Sequence, residues 1–150
     1  MQLHVFTLAL GLVLIAGPVF SQDAANIWRT LGTVQVEKEF DPTIGMEIIR
    51  PHFGPLIEKL NGKEVTVRGY VIPLTGKRKQ SQFLFSAYPY SQCFFCGQAG
   101  PETAMEVFLQ EGHSVLYQEE ALLVKGTLRL RSMGDVNGLF YSLQDAKVVQ

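Results

Sequence analysis

The chain has only two thiols, and they stand two residues apart in Cys93-Phe94-Phe95-Cys96-Gly97. Thiols at this spacing can close a small disulfide, exchange electrons with another dithiol, or supply half of a soft metal site. Gly97 lets the backbone bend so that amide N–H groups point at sulfur, as in one knuckle of a zinc site. A closed zinc site takes four ligands, and the second Cys-x-x-Cys that would complete it is absent. His113, seventeen residues beyond Cys96, is the first candidate to close the set. His52, Glu102, Glu106 or the same turn from a second chain are the others. Cys93, Cys96 and His113 are thus candidate metal ligands, with Zn2+ the candidate cofactor. Two alternatives stay open: a thiol–disulfide redox pair, and an inert disulfide or buried thiols. Thioredoxin-type pairs open a long helix, whereas Gly97, Gly100 and Pro101 break one here. A disulfide closing so small a loop adds little stability.

A dense aromatic run surrounds the cysteines: Phe83, Phe85, Tyr88, Tyr90, Phe94 and Phe95. Six rings in one short span exceed what the interior of a small barrel hides, so part of the run is expected to line a groove. The candidate groove set is Arg68, Tyr70, Phe85, Tyr88, Tyr90, Phe94 and Phe95. Aromatic rings beside Arg68, Lys77, Arg78, Lys79, Lys125, Arg129 and Arg131 could stack nucleic-acid bases. The formal net charge of −1 argues against that partner, because no global field collects a polyanion. A solvated strand face and a basic loop tip account for the same cations. There is no Gly-x-Ser-x-Gly and no phosphate-binding glycine loop, and no spacing singles out a Ser/His/Asp triad. No catalytic residue is assigned, and the chain reads as a binding or accessory module rather than an enzyme.

The elements that must hold these residues are mostly strands. Residues 64–72 alternate, with Val65, Val67, Gly69 and Val71 on one face and Thr66, Arg68, Tyr70 and Ile72 on the other. Gly69 in mid-strand suggests a bulge or sharp bend. Residues 82–86 and 103–109 read as strands, the second with Met105, Val107 and Leu109 inward. Residues 121–131 alternate most cleanly, with a turn at 135–138 and a hairpin partner from Leu139. Residues 116–120 are ambiguous. Before the first clear strand, a short helix ends at Gly32, with Trp28 as a core anchor. A strand over 33–40 follows, then an apolar stretch at 46–50 and a helix from Pro55 closed by Asn61-Gly62; these last two segments are expected to pack over one end of a sheet. The sum is one mainly β domain over 22–150: a small OB-like β-barrel of about five to six strands with short N-terminal helices.

Residues 1–21 stand apart. Leu3 to Phe20 is apolar apart from His4 and Thr7, and Val19-Phe20-Ser21 offers small or modest residues before a cut at Gln22. This reads as a signal peptide, with a retained anchor as the alternative. Export implies a periplasmic or secreted location and an oxidising compartment. It makes an envelope protein or a metal ion the expected partner.

The stretch from Gly62 to Pro73, together with Trp28, Phe83-Leu84-Phe85, Cys93-Phe94-Phe95-Cys96-Gly97, Pro101 and Leu123 to Leu128, resembles a family of exported bacterial proteins of unknown function, of the DUF3299 type. The likeness runs from about Trp28 to Ala146. It implies an OB-like barrel and an envelope location, and it implies no established activity.

Overall fold

The computed structural model describes residues 26–131 and 138–149. The expected signal segment and most of the turn expected at 135–138 lie outside the described residues. The chain is mainly β. In order come α1 (Asn26–Leu31), β1 (Gln35–Asp41), β2 (Met46–His52), α2 (Pro55–Glu58), β3 (Glu64–Ile72), β4 (Lys79–Gln80), β5 (Gln82–Ser86), β6 (Ala104–Leu109), β7 (Val115–Leu116), β8 (Leu122–Leu130) and β9 (Tyr141–Val149). Five of these close a barrel in the order β3-β5-β6-β9-β8, and β3 returns to β8. All its pairs are antiparallel except β6 with β9. This is an OB-like barrel.

Alternation along the strands builds the interior. Val65, Val67 and Val71 from β3, Phe83 and Phe85 from β5, Met105 and Val107 from β6, Val124 and Leu128 from β8, and Leu143 and Ala146 from β9 share one buried cluster. Ile27 and Leu31 of α1 and Ile57 of α2 join it, so the N-terminal helices close one end of the barrel. Two hydrogen bonds fasten α1 there: Trp28 Nε1 donates to the Arg68 carbonyl at 2.7 Å, and the Tyr141 hydroxyl donates to the Leu31 carbonyl at 2.8 Å. Trp28 is partly buried, packed against the core and tied by its indole N–H.

No bulge lies at Gly69. The β3–β8 ladder ends at Gly69 and the β3–β5 ladder begins at Tyr70, so β3 changes partner there, with no register shift in either ladder. A shift lies between Lys125 and Thr127, opposite Asp145, whose φ is 51°. Gly126 fills that position because a Cβ there would lie 2.9 Å from the Ala146 Cβ, the Gln144 carbonyl and the Leu143 Cγ. Gly69 is required for a different reason: its Cβ would lie 2.6 Å from the Ser86 carbonyl. Both glycines permit close backbone approach, and only Gly126 sits at the bulge.

The region before the barrel also differs from expectation. α2 packs on the barrel core through Ile57, but the 46–50 stretch is part of a hairpin strand. β1 and β2 pair with each other from Gln35–His52 to Asp41–Met46 and form a separate two-stranded sheet. Pro51 is accommodated because β2 is an edge strand that needs no second neighbour. Val36, Phe40, Ile49 and Met46 of this hairpin are exposed. Among the described residues no helix is long and apolar enough to cross a membrane.

Candidate functional site

The segment between β5 and β6, residues 87–103, carries the cysteines and folds back over the outside of the barrel. Inward residues of β5 are Phe83 and Phe85; Leu84 therefore points outward. It is nevertheless only 5% exposed, because Ile72, Leu84, Cys93, Ala104 and Leu139 form a second cluster, with Phe94 packed against it. Cys93 is the loop's anchor in this outer cluster.

Three 3-10 turns shape the loop: Tyr90–Gln92, Phe94–Cys96 and Pro101–Thr103. The second ends on Gly97 at φ 71°, the left-handed conformation that glycine adopts without strain. Cys96 N–H donates to the Cys93 carbonyl at 3.1 Å, and Gly97 N–H to the Phe94 carbonyl at 2.9 Å. The two sulfurs lie 3.8 Å apart as free thiols, Cys93 buried and Cys96 exposed. The Cys96 thiol donates to the Tyr90 carbonyl at 2.9 Å. Its pKa is raised above the ordinary thiol value, first by partial desolvation of the sulfur, then by the hydrogen bond and charge interaction with Cys93. Donation to a carbonyl acts in the same sense, since only the protonated form can make that bond.

The other proposed ligands are placed apart from this pair. His113 follows β6, whose far end lies about 17 Å along the strand from the cysteine loop, at some 3.3 Å per residue. Its Nδ1 lies 3.1 Å from the Glu111 carbonyl. His52 Nε2 sits 2.9 Å from Glu37 on the β1–β2 hairpin. Glu106 is engaged by Arg131 at 2.9 Å and by the Gln82 amide at 2.5 Å. Glu102 lies beside Tyr88 in a shallow hollow on the loop. Among the described residues no three His, Cys, Asp or Glu side chains converge on one point.

The aromatic run is divided between three environments. Phe83 and Phe85 meet edge to face inside the barrel, with centroids 6.0 Å apart. Phe94 is half-buried and carries the exposed Phe95 against its ring, with centroids 5.0 Å apart. Tyr88 and Tyr90 are exposed. Of the candidate groove set, Tyr70 and Tyr90 come together: they line a cleft of about 350 Å³ with Pro89, Tyr117 and Glu119. Arg68 is exposed on β3 and gives its carbonyl to Trp28. Phe85 lies in the core rather than in a groove. The basic set is also divided, because Lys125 pairs with Glu64 at 2.5 Å and Arg131 with Glu106.

Tyr117 is the cleft residue that sequence reasoning missed. It follows β7 in the stretch whose pattern is ambiguous, and its N–H donates to the Arg78 carbonyl at 3.0 Å. That bond fixes Tyr117 at the cleft that Tyr70 and Val71 of β3 also line. No local signal marks it, since the segment reaches the cleft only through pairing of β7 with β4.

No family model matches the chain, and no curated protein matches it. Among solved structures the chain is similar to the crystal structure of a DUF3299 family protein (PA4066) from Pseudomonas aeruginosa PAO1. The two are 20% identical over 64% of this chain and 67% of that chain, with a TM-score of 0.45. That neighbour carries the name of the family whose motifs the sequence resembles.

Proposed function

We propose that this protein is an exported binding module of the bacterial envelope, which takes its ligand in the cleft between Tyr70, Tyr90 and Tyr117. The observation that carries this reading is the cleft itself. Three tyrosines from three separate segments converge there, and Tyr90 and Tyr117 remain exposed. Tyrosine offers a large amphipathic contact at small entropic cost, and exposed tyrosine clusters suit binding surfaces. The cysteine turn is the clasp of the loop that delivers Tyr90.

The thiol pair supports a supporting role better than a catalytic one. A dithiol that turns over a disulfide substrate needs a thiolate at ambient pH, and the environment of Cys96 favours the thiol. Zinc held by Cys93 and Cys96 requires two more ligands. A second copy of the same turn could supply them, at the cost of drawing Cys93 out of its apolar cluster.

Amide shifts in ¹⁵N-labelled protein, titrated with panels of short peptides, oligosaccharides and nucleotides, test the proposal. A ligand is expected to move Tyr70, Tyr90 and Tyr117 together. Tyr117→Ala should abolish the response, while Cys96→Ser, at the exposed thiol, should retain it. Cleft amides that no panel moves would sink the reading. Near-stoichiometric zinc in reduced, tag-free protein would shift it to a metal-held assembly.

A further inference from the structure

The wall of the cleft contains a piece of barrel edge with nothing paired to it. In the β5–β6 ladder, Ala87 N–H donates to the Thr103 carbonyl and Leu109 N–H to the Ser81 carbonyl, each at 2.9 Å. Hydrogen-bonding direction alternates along a strand. The odd residues of β5 therefore face β6, while Leu84 and Ser86 turn their amides and carbonyls to β3. There they meet Ile72 and Tyr70. Val71, between those two, must turn its own N–H and C=O the other way, towards β8.

The far side of β3 gives the same direction independently. Leu128 N–H donates to the Lys63 carbonyl at 2.9 Å. Counting from there along the ladder, Gly69 and Leu122 face each other with their polar groups, and Arg68 faces away. The Arg68 carbonyl is indeed the one that accepts from Trp28 on the opposite side. Val71 has the direction of Gly69, but the β3–β8 ladder stops at Gly69–Leu122. Two more residues of the same register would bring Glu120 opposite Val71; instead the chain bends at 119–120. Among the described residues no hydrogen bond joins Val71 N–H or C=O to the 117–121 segment. Val71 is 2% exposed, and it lines the tyrosine cleft.

A main-chain donor and acceptor that are both buried and unpaired are rare in folded proteins, and such a pair calls for an occupant. The donor and acceptor of one strand residue, on one side, match the acceptor and donor of one residue in another extended chain. From this and the tyrosine lining we infer that the cleft binds an extended peptide segment bearing an aromatic side chain, which pairs its main chain with Val71 and packs its ring among Tyr70, Tyr90 and Tyr117. This is β-strand addition confined to one gap in a closed barrel. It rests on the proposed reading of the cleft as the ligand site and names the class of ligand.

The probe is the blocked tripeptide acetyl-Ala-Phe-Ala-amide, titrated into the full chain and followed by amide shifts and by hydrogen exchange at Val71. Binding should move the Val71 amide and slow its exchange. Three further peptides each carry one N-methyl group, on the first, second or third nitrogen. At least one should bind roughly tenfold more weakly, because it lacks the N–H that the Val71 carbonyl accepts. Tyr117→Ala should weaken all four peptides alike and leave the Val71 amide resonance of the free protein in a folded position. If all three methylated peptides bind as well as the parent, main-chain pairing is overturned. If the peptides leave the cleft unmoved while maltotriose shifts the same amides, the peptide class is overturned and the cleft reading stands. If neither moves them, both fall.

Discussion

The inside and the outside of the barrel wall at β5 bury the same kind of residue by different means. Phe83 and Phe85 point inward and are sealed by the closed strands themselves. Leu84 points outward and is sealed only because the loop 87–103 lays Cys93 and Phe94 over it. The inner cluster draws on every barrel strand and both helices. The outer one has five members and a single loop as its lid. The barrel can thus exist without the outer cluster, whereas the outer cluster has no surface to form on without the barrel. The tyrosines of the proposed cleft lie outside the barrel wall, on the side where local opening costs least.

The largest effect should come from breaking the inner side. Phe85→Ala is expected to cost about 3–5 kcal/mol in denaturant unfolding, because it removes a fully buried ring and leaves a cavity. A cost below that of an outer-cluster change would overturn the ranking. Cys93→Ser tests the outer side. It places a hydroxyl in an apolar pocket and should cost about 1–3 kcal/mol, with most of the loss confined to hydrogen-exchange protection around the loop. If protection falls uniformly across the barrel, the two clusters are one cooperative unit.

Tyr141→Phe removes the bond from the core to the end of α1 and should cost about 1 kcal/mol at neutral pH. It also carries a pH signature. The Tyr141 hydroxyl has a raised pKa, first through burial and then through the charge of Glu102. The folded state therefore keeps a proton that the unfolded state releases near pH 10. The stabilisation is full below that pH and declines as pH rises above it. The variant should flatten the alkaline limb of the stability curve, and an unchanged limb would assign it to other groups. The smallest effect is expected at Cys96→Ser, within about 0.5 kcal/mol, because the side chain is exposed. In reduced native protein a maleimide should label Cys96 and spare Cys93. Equal labelling of both would mean that the outer lid opens readily.

Much of the barrel was legible because alternation is a local property. Val65, Val67 and Val71 against Thr66, Arg68 and Tyr70 define a face without knowledge of any partner. The same reading failed where partners decide. Leu84 and Ile72 look solvent-facing by parity, and a distant loop buries them. Gly69 looks like a bulge, and the irregularity of the β8–β9 ladder lies at Gly126, where Asp145 and Ala146 of the partner strand stand opposite one residue. The β1–β2 segment shows strand character, but nothing in it tells that its ladder closes on itself rather than on the barrel.

By itself, the sequence determined the strand faces, the end of α1 at Gly32 and the cysteine turn closed by Gly97, since each depends on neighbours a few residues away; the helix expected to run to Gly62 ends at Glu58. Only the tertiary structure decided which thiol is buried, that Tyr117 joins Tyr70 and Tyr90, and that Val71 keeps an unpaired edge. These depend on where the β3–β8 ladder stops and on what the loop 87–103 covers. Both are set by contacts between residues far apart in the chain, which no local pattern encodes.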